Sequence, residues 1–278
     1  MSAIDLAQVN IWLDYGFLVL WILVLIVFFV VHLGVSIPKG RFKKMWIQHI
    51  WPKHDWAPPA LPKFIHFQHL TMMIVLGVTG FLIRFPVIEG GRGTMRIIHY
   101  VAMVIVGLNF LWRLWYAFFS KDRDFREFAV GKKDLASMLG VVAYYTYFSE
   151  NKPHVAKYNV MQKLAYDAFG VLMILQGFTG LSLIMQPIIF GYSPRFLLVG
   201  WWLGPLVGGT AMAGAWMRIA HYSINWLFII ITTVHLYLAA FIDFPCTLDF
   251  FGLKKLEVDP NAYHHDDHGA EPAAAHAD

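Results

Sequence analysis

The sequence predicts an all-α integral membrane protein, built as a bundle of transmembrane helices. Of its 278 residues, 58% are hydrophobic and only 14% are charged, which is typical of polytopic membrane proteins. Five apolar stretches are each long enough to cross a hydrocarbon core, which needs about 20 helical residues. The net charge of +4 is modest and is explained by basic cytoplasmic loops rather than by nucleic-acid binding.

The charges around the first span, residues 15–37, predict its orientation. Two aspartates precede it, Asp5 and Asp14. The four cations that follow it are Lys39, Arg41, Lys43 and Lys44. The positive-inside rule therefore places the N-terminus outside and the next loop in the cytoplasm. No basic region precedes this span and no small-residue cleavage site follows it, so we interpret it as a retained helix and not as a signal peptide.

Four further spans are predicted at residues 64–85, 97–120, 159–186 and 217–241. The linker 41–63 is rich in proline, which argues against a long helix. Residues 135–148 predict an amphipathic helix on the membrane surface. Prolines and glycines break the apolar segment 187–213, which we interpret as an outward loop with an interfacial piece, a re-entrant hairpin being the alternative. The polar tail from Asp259, with four histidines, predicts disorder and a cytoplasmic C-terminus.

The last span carries His221 and His235, fourteen residues apart. Fourteen steps of about 100° bring the two side chains to within roughly 40° of one face, and the rise between them is about 21 Å. Ionisable residues inside a span are costly and usually face the bundle interior. The spacing therefore predicts two stacked metal or heme sites. The alternative is two histidines that hydrogen-bond to neighbouring helices.

Histidines on two other spans lie at matching depths. His99 lies at the outer end of the third span, and His66 and His69 lie at the inner end of the second. Two facing imidazoles fill both axial positions of a heme iron, which suits electron transfer and leaves no position for a substrate. The single cysteine, Cys246, excludes an iron–sulfur cluster ligated by this chain and a C-x-x-C-H attachment. Heme would therefore be non-covalent and b-type.

Two outer histidines share a local pattern. Arg96 precedes His99 by three residues, and Arg218 precedes His221 by three residues. Each arginine lies on the face of its histidine and nearer the surface. Guanidinium pairs well with carboxylate, so we predict that both arginines neutralise heme propionates. The alternative is two ordinary interfacial arginines.

A polar cluster marks the inner end of the fourth span. Its members are Tyr158, Asn159, Gln162, Lys163 and Asp167. These groups could donate hydrogen bonds to a quinone head and move protons to it. Helix capping by Asn159 is the competing interpretation.

Several motifs together indicate a family. They are FIHFQHLTMMIVLGVTGFLIRFP (64–86), RIIHY (96–100), KYNVMQK (157–163) and the last span ending in HLYLAAF. Over about residues 60–245 the sequence resembles the di-heme cytochrome b (gamma) subunit of respiratory formate dehydrogenases. The related b-type subunits of nickel–iron hydrogenases and thiosulfate reductases share this pattern.

The resemblance implies a four-helix core with two bis-histidine b-type hemes. His99 would pair with His221 outside and His66 with His235 inside, with His66 preferred over His69 because of its distance to Thr79-Gly80 and Phe85-Pro86. It also implies a menaquinone or ubiquinone site at Asn159, with Gln162 nearby. The expected partners are an outer iron–sulfur or c-type cytochrome subunit and a catalytic subunit, since this chain has no substrate site of its own.

The N-terminal span departs from the four-span pattern. We expect four regions: an extra helix (1–40), a cytoplasmic linker (41–63), the di-heme domain (64–245) and a tail (246–278). The extra helix leaves room for a third heme or a lipid near His32. The expected location is a bacterial or archaeal cytoplasmic membrane. The alternatives are a heme-free anchor or transporter and a stand-alone cytochrome that acts between diffusible carriers.

Overall fold

A computed structural model describes residues 5–121, 123–154 and 157–260. Within these ranges the regular structure is helical. In chain order the α-helices are α1 (Leu6–Leu25), α2 (Leu33–Ser36), α3 (Ala60–Arg84), α4 (Gly91–Phe119), α5 (Phe125–Phe128), α6 (Lys132–Tyr145), α7 (Val160–Leu181), α8 (Leu203–Val207), α9 (Thr210–Ile242) and α10 (Phe244–Phe250). The predicted disordered tail and its histidines lie outside the described residues, except for 259–260.

Five helices in the described ranges are long and apolar enough to span a membrane, which confirms the predicted fold class. They are Leu6–Ser36, Ala60–Arg84, Gly91–Phe119, Val160–Leu181 and Thr210–Ile242. The first is continuous because a π-helical segment, Ile26–His32, joins α1 to α2. Several helices extend past their predicted limits, because apolar windows detect only the part that lies in hydrocarbon. The α3 helix, for example, begins directly after the extended Pro59.

The four core spans form two helix pairs. The α3 helix packs along α4, and α7 packs along α9. In the described residues, the backbones of one pair approach those of the other at only a few places. The bundle therefore consists of two tight pairs that face each other across a wider gap.

The extra N-terminal helix packs against α9. In the N-terminal half of α1, the Asp14 carboxylate forms an ion pair with Arg84 of α3 at 2.7 Å and accepts a hydrogen bond from Tyr222 of α9. Further in, Phe17 stacks on Trp226 with ring centres 5.9 Å apart. These contacts attach the first span to the core, while its other face stays exposed and apolar, as at Val30.

The two segments without a predicted span are helical in part. Residues 135–148 fall largely within α6, a 14-residue helix that is too short to cross a membrane and packs on α7. The segment 187–213 contains a short π-helix, Phe196–Gly200, and α8, both packed against α9. Neither of these two pieces has the length of a span.

Candidate heme sites between two helix pairs

Two histidine pairs bridge the gap between the helix pairs. His99 of α4 faces His221 of α9, with ring centres 6.4 Å apart and ring planes at 70°. His66 of α3 faces His235 of α9, also with ring centres 6.4 Å apart, and with ring planes at 55°. Both pairs therefore join one helix pair to the other, at two depths of α9 separated by a rise of about 21 Å.

The separation of each pair fits one iron between two imidazoles. A metal–imidazole bond is about 2.0–2.1 Å long, and a ring centre lies roughly 1.1 Å beyond its ligating nitrogen, so two trans ligands have centres about 6.3 Å apart. The observed 6.4 Å matches this value in both pairs. The same gap gives a planar macrocycle a place between the two helix pairs. The residues present therefore fit heme at both depths.

Hydrogen bonding sets the tautomer of His99. The Thr79 hydroxyl donates its only proton to the Val75 carbonyl at 2.7 Å. Its oxygen lies 2.9 Å from Nδ1 of His99 and is placed to accept there, which favours the neutral His99 tautomer with its proton on Nδ1. The Nε2 lone pair is then free to bind a metal. A hydrogen bond to the ring nitrogen that does not bind the metal commonly orients a histidine ligand.

The opposite histidine is held in the same way. Thr179 donates to the Leu175 carbonyl at 2.8 Å, and its oxygen lies 3.1 Å from Nδ1 of His221. The Gln176 side-chain nitrogen lies 3.3 Å from His221 Nε2, which agrees with a lone pair on that atom. With their protons on Nδ1, both histidines of the outer pair present an unprotonated Nε2, as a metal ligand requires.

A glycine follows each threonine and lets its histidine approach the helix. A Cβ at Gly80 would lie 3.7 Å from Cε1 of His99, and one at Gly180 would lie 3.0 Å from Cε1 of His221. Sequence analysis noted Thr79-Gly80 but missed Thr179-Gly180. The signal that could have revealed it is a repeat: G-x-T-G occurs at 77–80 and 177–180, and M-R-I-x-H-Y at 95–100 and 217–222.

The repeat extends to the inner end, where the residues differ. His66 lies thirteen residues before Thr79, and Tyr166 lies thirteen before Thr179. Arg113 follows His99 by fourteen residues, as His235 follows His221. The Arg113 guanidinium lies 5.1 Å from the centre of the Tyr166 ring. In the repeat, the contact between Arg113 and Tyr166 is therefore the equivalent of the inner histidine pair. The two histidines of the outer pair are equivalent to each other.

The other candidate histidines have different neighbours. His69 lies beside Asn109 of α4, and it is His66 that faces His235. The Nδ1 atom of His32 lies 2.7 Å from the Tyr237 hydroxyl, and its Nε2 lies 2.6 Å from the Tyr145 carbonyl. Both nitrogens of His32 are therefore engaged in joining the first span to α9 and to the end of α6, which is a structural role.

The predicted propionate and quinone residues also have defined surroundings. Arg96 and Arg218 are exposed in the N-terminal halves of α4 and α9. Asn159 caps α7: its Oδ1 accepts from the Gln162 amide at 3.1 Å, and the Gln162 side chain accepts from the Asn159 amide at 3.0 Å. These two hydrogen bonds are those expected of a helix cap. The side-chain nitrogen of Asn159 takes no part in them and lies 3.3 Å from the Tyr145 hydroxyl.

A buried ion pair lies one turn from this cap. Lys163 Nζ contacts Asp134 Oδ2 at 2.9 Å, and both side chains are 6% exposed. Burial alone would raise the pKa of Asp134. The Gly131 amide and the Lys163 ammonium outweigh that effect and hold the pKa below its usual range. The Asp134 Oδ1 atom is buried and has no hydrogen-bond partner in the described part of the chain.

Comparison with known proteins places the chain in a family. The family model described as prokaryotic cytochrome b561 matches residues 59–248, which include both histidine pairs. The chain belongs to the prokaryotic cytochrome b561 family. It is also 26% identical over 188 residues to a protein of Azotobacter chroococcum mcd 1 named probable Ni/Fe-hydrogenase B-type cytochrome subunit, a match that covers 63% of this chain and 75% of that protein.

Membership of this cytochrome b561 family confirms the expected class of function. The protein is a multi-pass membrane cytochrome that binds b-type heme and transfers electrons. The resemblance found by sequence analysis is confirmed as well. The heme-free anchor or transporter is not favoured.

Proposed function

We propose that this cytochrome b561 holds two b-type hemes and conducts electrons across the membrane between a partner subunit and the quinone pool. The observation that carries the proposal is the pair of histidine couples, His99–His221 and His66–His235, each with ring centres 6.4 Å apart. The two depths, about 21 Å apart along α9, make a two-step path through the bilayer. The stand-alone alternative has no specific observation in its favour.

Each residue of the two sites has a defined task. Bound heme supplies one-electron chemistry through its iron. The four imidazoles would hold the two hemes, one histidine pair at each depth, and would leave no position for a substrate. Thr79 and Thr179 hold the outer imidazoles in the tautomer that ligates. Arg96 and Arg218 would pair with the outer propionates, since a guanidinium pairs with a carboxylate in a fork.

The Azotobacter relative is named as a cytochrome subunit of a hydrogenase. By analogy, this chain would receive or deliver electrons through an outer iron–sulfur or c-type cytochrome subunit, and a catalytic subunit would carry the substrate chemistry. Membrane lipid would cover the exposed apolar faces of the spans. The cytoplasmic membrane of a bacterium or archaeon, with the N-terminus outside and the C-terminus inside, fits the flanking charges.

The quinone, menaquinone or ubiquinone, would bind at the inner end of α7 beside Asn159 and Gln162. Asn159 is 7% exposed, and its side-chain nitrogen is a donor that the cap does not use. The Lys163–Asp134 pair is one helical turn away and provides ionisable groups near that donor. The site therefore combines a hydrogen-bond donor for a quinone carbonyl with groups that hold or move a proton.

Heme content tests the electron-transfer proposal. The protein, purified in mild detergent, should contain two hemes per chain in a pyridine hemochrome assay. Replacement of His221 or His235 by alanine should remove one heme each, whereas His69→Ala, the matched control for His66→Ala, should keep both. A well-folded protein without heme would refute the proposal, and a His69→Ala protein that loses one heme would refute the choice of His66.

A second experiment separates capping from quinone binding at Asn159. Aspartate is as good an N-cap as asparagine but lacks the side-chain N–H donor. Asn159→Asp should therefore leave the melting temperature nearly unchanged and slow electron exchange between heme and a soluble quinol or quinone analogue by tenfold or more. Equal exchange rates in the variant and the natural protein would confine Asn159 to its capping role.

A further inference from the structure

A third arginine lies at the outer end of the core, on the segment between α7 and α9. Arg195 is only 8% exposed. Its Nε donates to the Ser182 carbonyl at 3.2 Å, and its Nη2 donates to the Leu183 carbonyl at 3.1 Å. The side chain thus covers the C-terminal end of α7, where helix carbonyls lack partners of their own.

The guanidinium of Arg195 has no acidic partner in the described part of the chain. Burial and the positive charge of Arg218 both lower the pKa of Arg195. Its Nη1 group has no hydrogen-bond acceptor among the described residues. A buried charge beside a like charge is unfavourable unless an anion compensates it.

The position of the guanidinium is set by a close contact with α9. A Cβ at Gly214 would lie 2.6 Å from Cζ and 2.8 Å from Nη1 of Arg195, so only glycine lets the guanidinium lie here. Gly214 precedes His221 by seven residues, about two helical turns, and shares its face to within roughly 20°. The Arg195 guanidinium therefore lies on the histidine-bearing face of α9, about 10 Å outward of His221.

We propose that Arg195 and Arg218 together bind a carboxylate of the outer heme, so that the segment between α7 and α9 forms part of that heme site. This inference rests on the proposed function, because it takes the His99–His221 pair as an axial ligand pair. Capping of α7 needs only neutral N–H donors. A carboxylate requires positive charge as well as N–H donors, and the exposed Arg218, three residues before His221 on α9, supplies a second cation beside the buried Arg195.

The test removes the positive charge of Arg195 and keeps a side chain that can donate hydrogen bonds. Arg195→Gln can still donate to the carbonyls of Ser182 and Leu183 but carries no charge. The midpoint potential of each heme is measured by spectroelectrochemical titration, with the outer heme identified in a His235→Ala background. The outer potential should fall, because a nearby cation favours the reduced, less positive iron, and the inner potential should stay unchanged. Arg195→Lys should restore most of the shift.

Two further variants complete the design. Arg92 donates Nε–H to the Ile83 carbonyl near the outer end of α3 while remaining exposed, so Arg92→Gln is the matched control and should leave both potentials unchanged. Gly214→Ala keeps the charge of Arg195 but displaces it, and should lower the outer potential too. This variant also serves if Arg195→Gln does not fold.

The outcomes distinguish the two proposals. Absence of heme from every variant and from the natural protein would refute the proposed function itself. Two hemes with unchanged potentials in Arg195→Gln and Gly214→Ala would leave that function intact and overturn the role of Arg195. Loss of a co-purified anionic lipid, detected by native mass spectrometry without a change of potential, would also overturn it, because the bound anion would then be a lipid phosphate.

Discussion

The outer and inner histidine pairs have the same separation but different support. In the outer pair, each Nδ1 faces a threonine oxygen, at 2.9 Å for His99 and 3.1 Å for His221. In the described residues, neither His66 nor His235 has such a hydrogen bond. The main aromatic neighbour of His66 is Phe250 of α10, with ring centres 5.1 Å apart. The outer pair is thus oriented by protein alone, and the inner pair depends more on what it binds.

The internal repeat explains this difference. The outer pair joins equivalent positions of the two halves, so one G-x-T-G segment serves each histidine. The inner pair joins α3 to α9, and its equivalent in the other half is the Arg113–Tyr166 contact. The threonine hydrogen bond to Nδ1 therefore occurs twice at the outer site, and in the described residues it does not occur at the inner site. A hydrogen bond to the ring nitrogen that does not bind the metal commonly strengthens metal binding.

The largest effect should come from filling the space beside His221. Gly180→Ala puts a methyl group 3.0 Å from Cε1 of His221, which is tighter than ordinary contact, and should remove most of the outer heme while leaving the inner one. Gly80→Ala is the matched control, because its methyl would lie 3.7 Å from His99 and is tolerated. Hemochrome content and reduced-minus-oxidised spectra measure both. Equal heme loss in the two variants would show that the closer contact of His221 with Gly180 does not decide heme binding.

The next effect should come from the two hydroxyls. Thr79→Val and Thr179→Val keep the side-chain shape but remove the acceptor for Nδ1, and each should weaken outer heme binding by about 10–100-fold. The heme retained in detergent during competition with apomyoglobin gives the measurement. Thr79→Ser and Thr179→Ser keep an acceptor and should behave nearly as the natural protein. A serine variant as weak as its valine counterpart would assign the effect to packing instead.

The sequence was sufficient for the bundle, its spans and the candidate pair His221 and His235, because apolar length and the fourteen-residue histidine spacing are local properties. The choice of His66 over His69 came from the family resemblance. The sequence was insufficient for Thr179, Gly180 and Arg195. Their roles arise from contacts between helices that are far apart in the chain, and Arg195 lies in a broken apolar segment with no periodic signal. His32 also needed the structure, since its engagement with Tyr237 and Tyr145 depends on how the first span docks.

A third expectation concerns the natural protein alone. Because His66 and His235 have no such hydrogen bonds among the residues that the structure describes, the inner heme should leave first under mild detergent stress, by roughly tenfold in rate. The two hemes are followed by their separate α-bands, assigned with the His221→Ala and His235→Ala proteins. Loss of the outer heme first would show that contacts other than hydrogen bonds to Nδ1 decide retention.

The smallest effect should come from the support of the inner pair by α10. Lys63 Nζ contacts Asp249 Oδ2 at 2.6 Å, and this ion pair joins the first turn of α3 to the helix that places Phe250 against His66. The Lys63 and Asp249 side chains are 22% and 7% exposed. Because asparagine keeps the shape of the side chain and one acceptor oxygen, the replacement should cost about 1 kcal/mol. Asp249→Asn should therefore speed loss of the inner heme by less than about fivefold and leave the outer heme unchanged.

Asp14→Asn, which weakens the ion pair with Arg84 at the outer end, is the matched control and should leave the inner heme unchanged. If Asp249→Asn instead released the outer heme as readily as the inner one, the two sites would be coupled through the whole bundle, and their different local support would not govern how each heme is held.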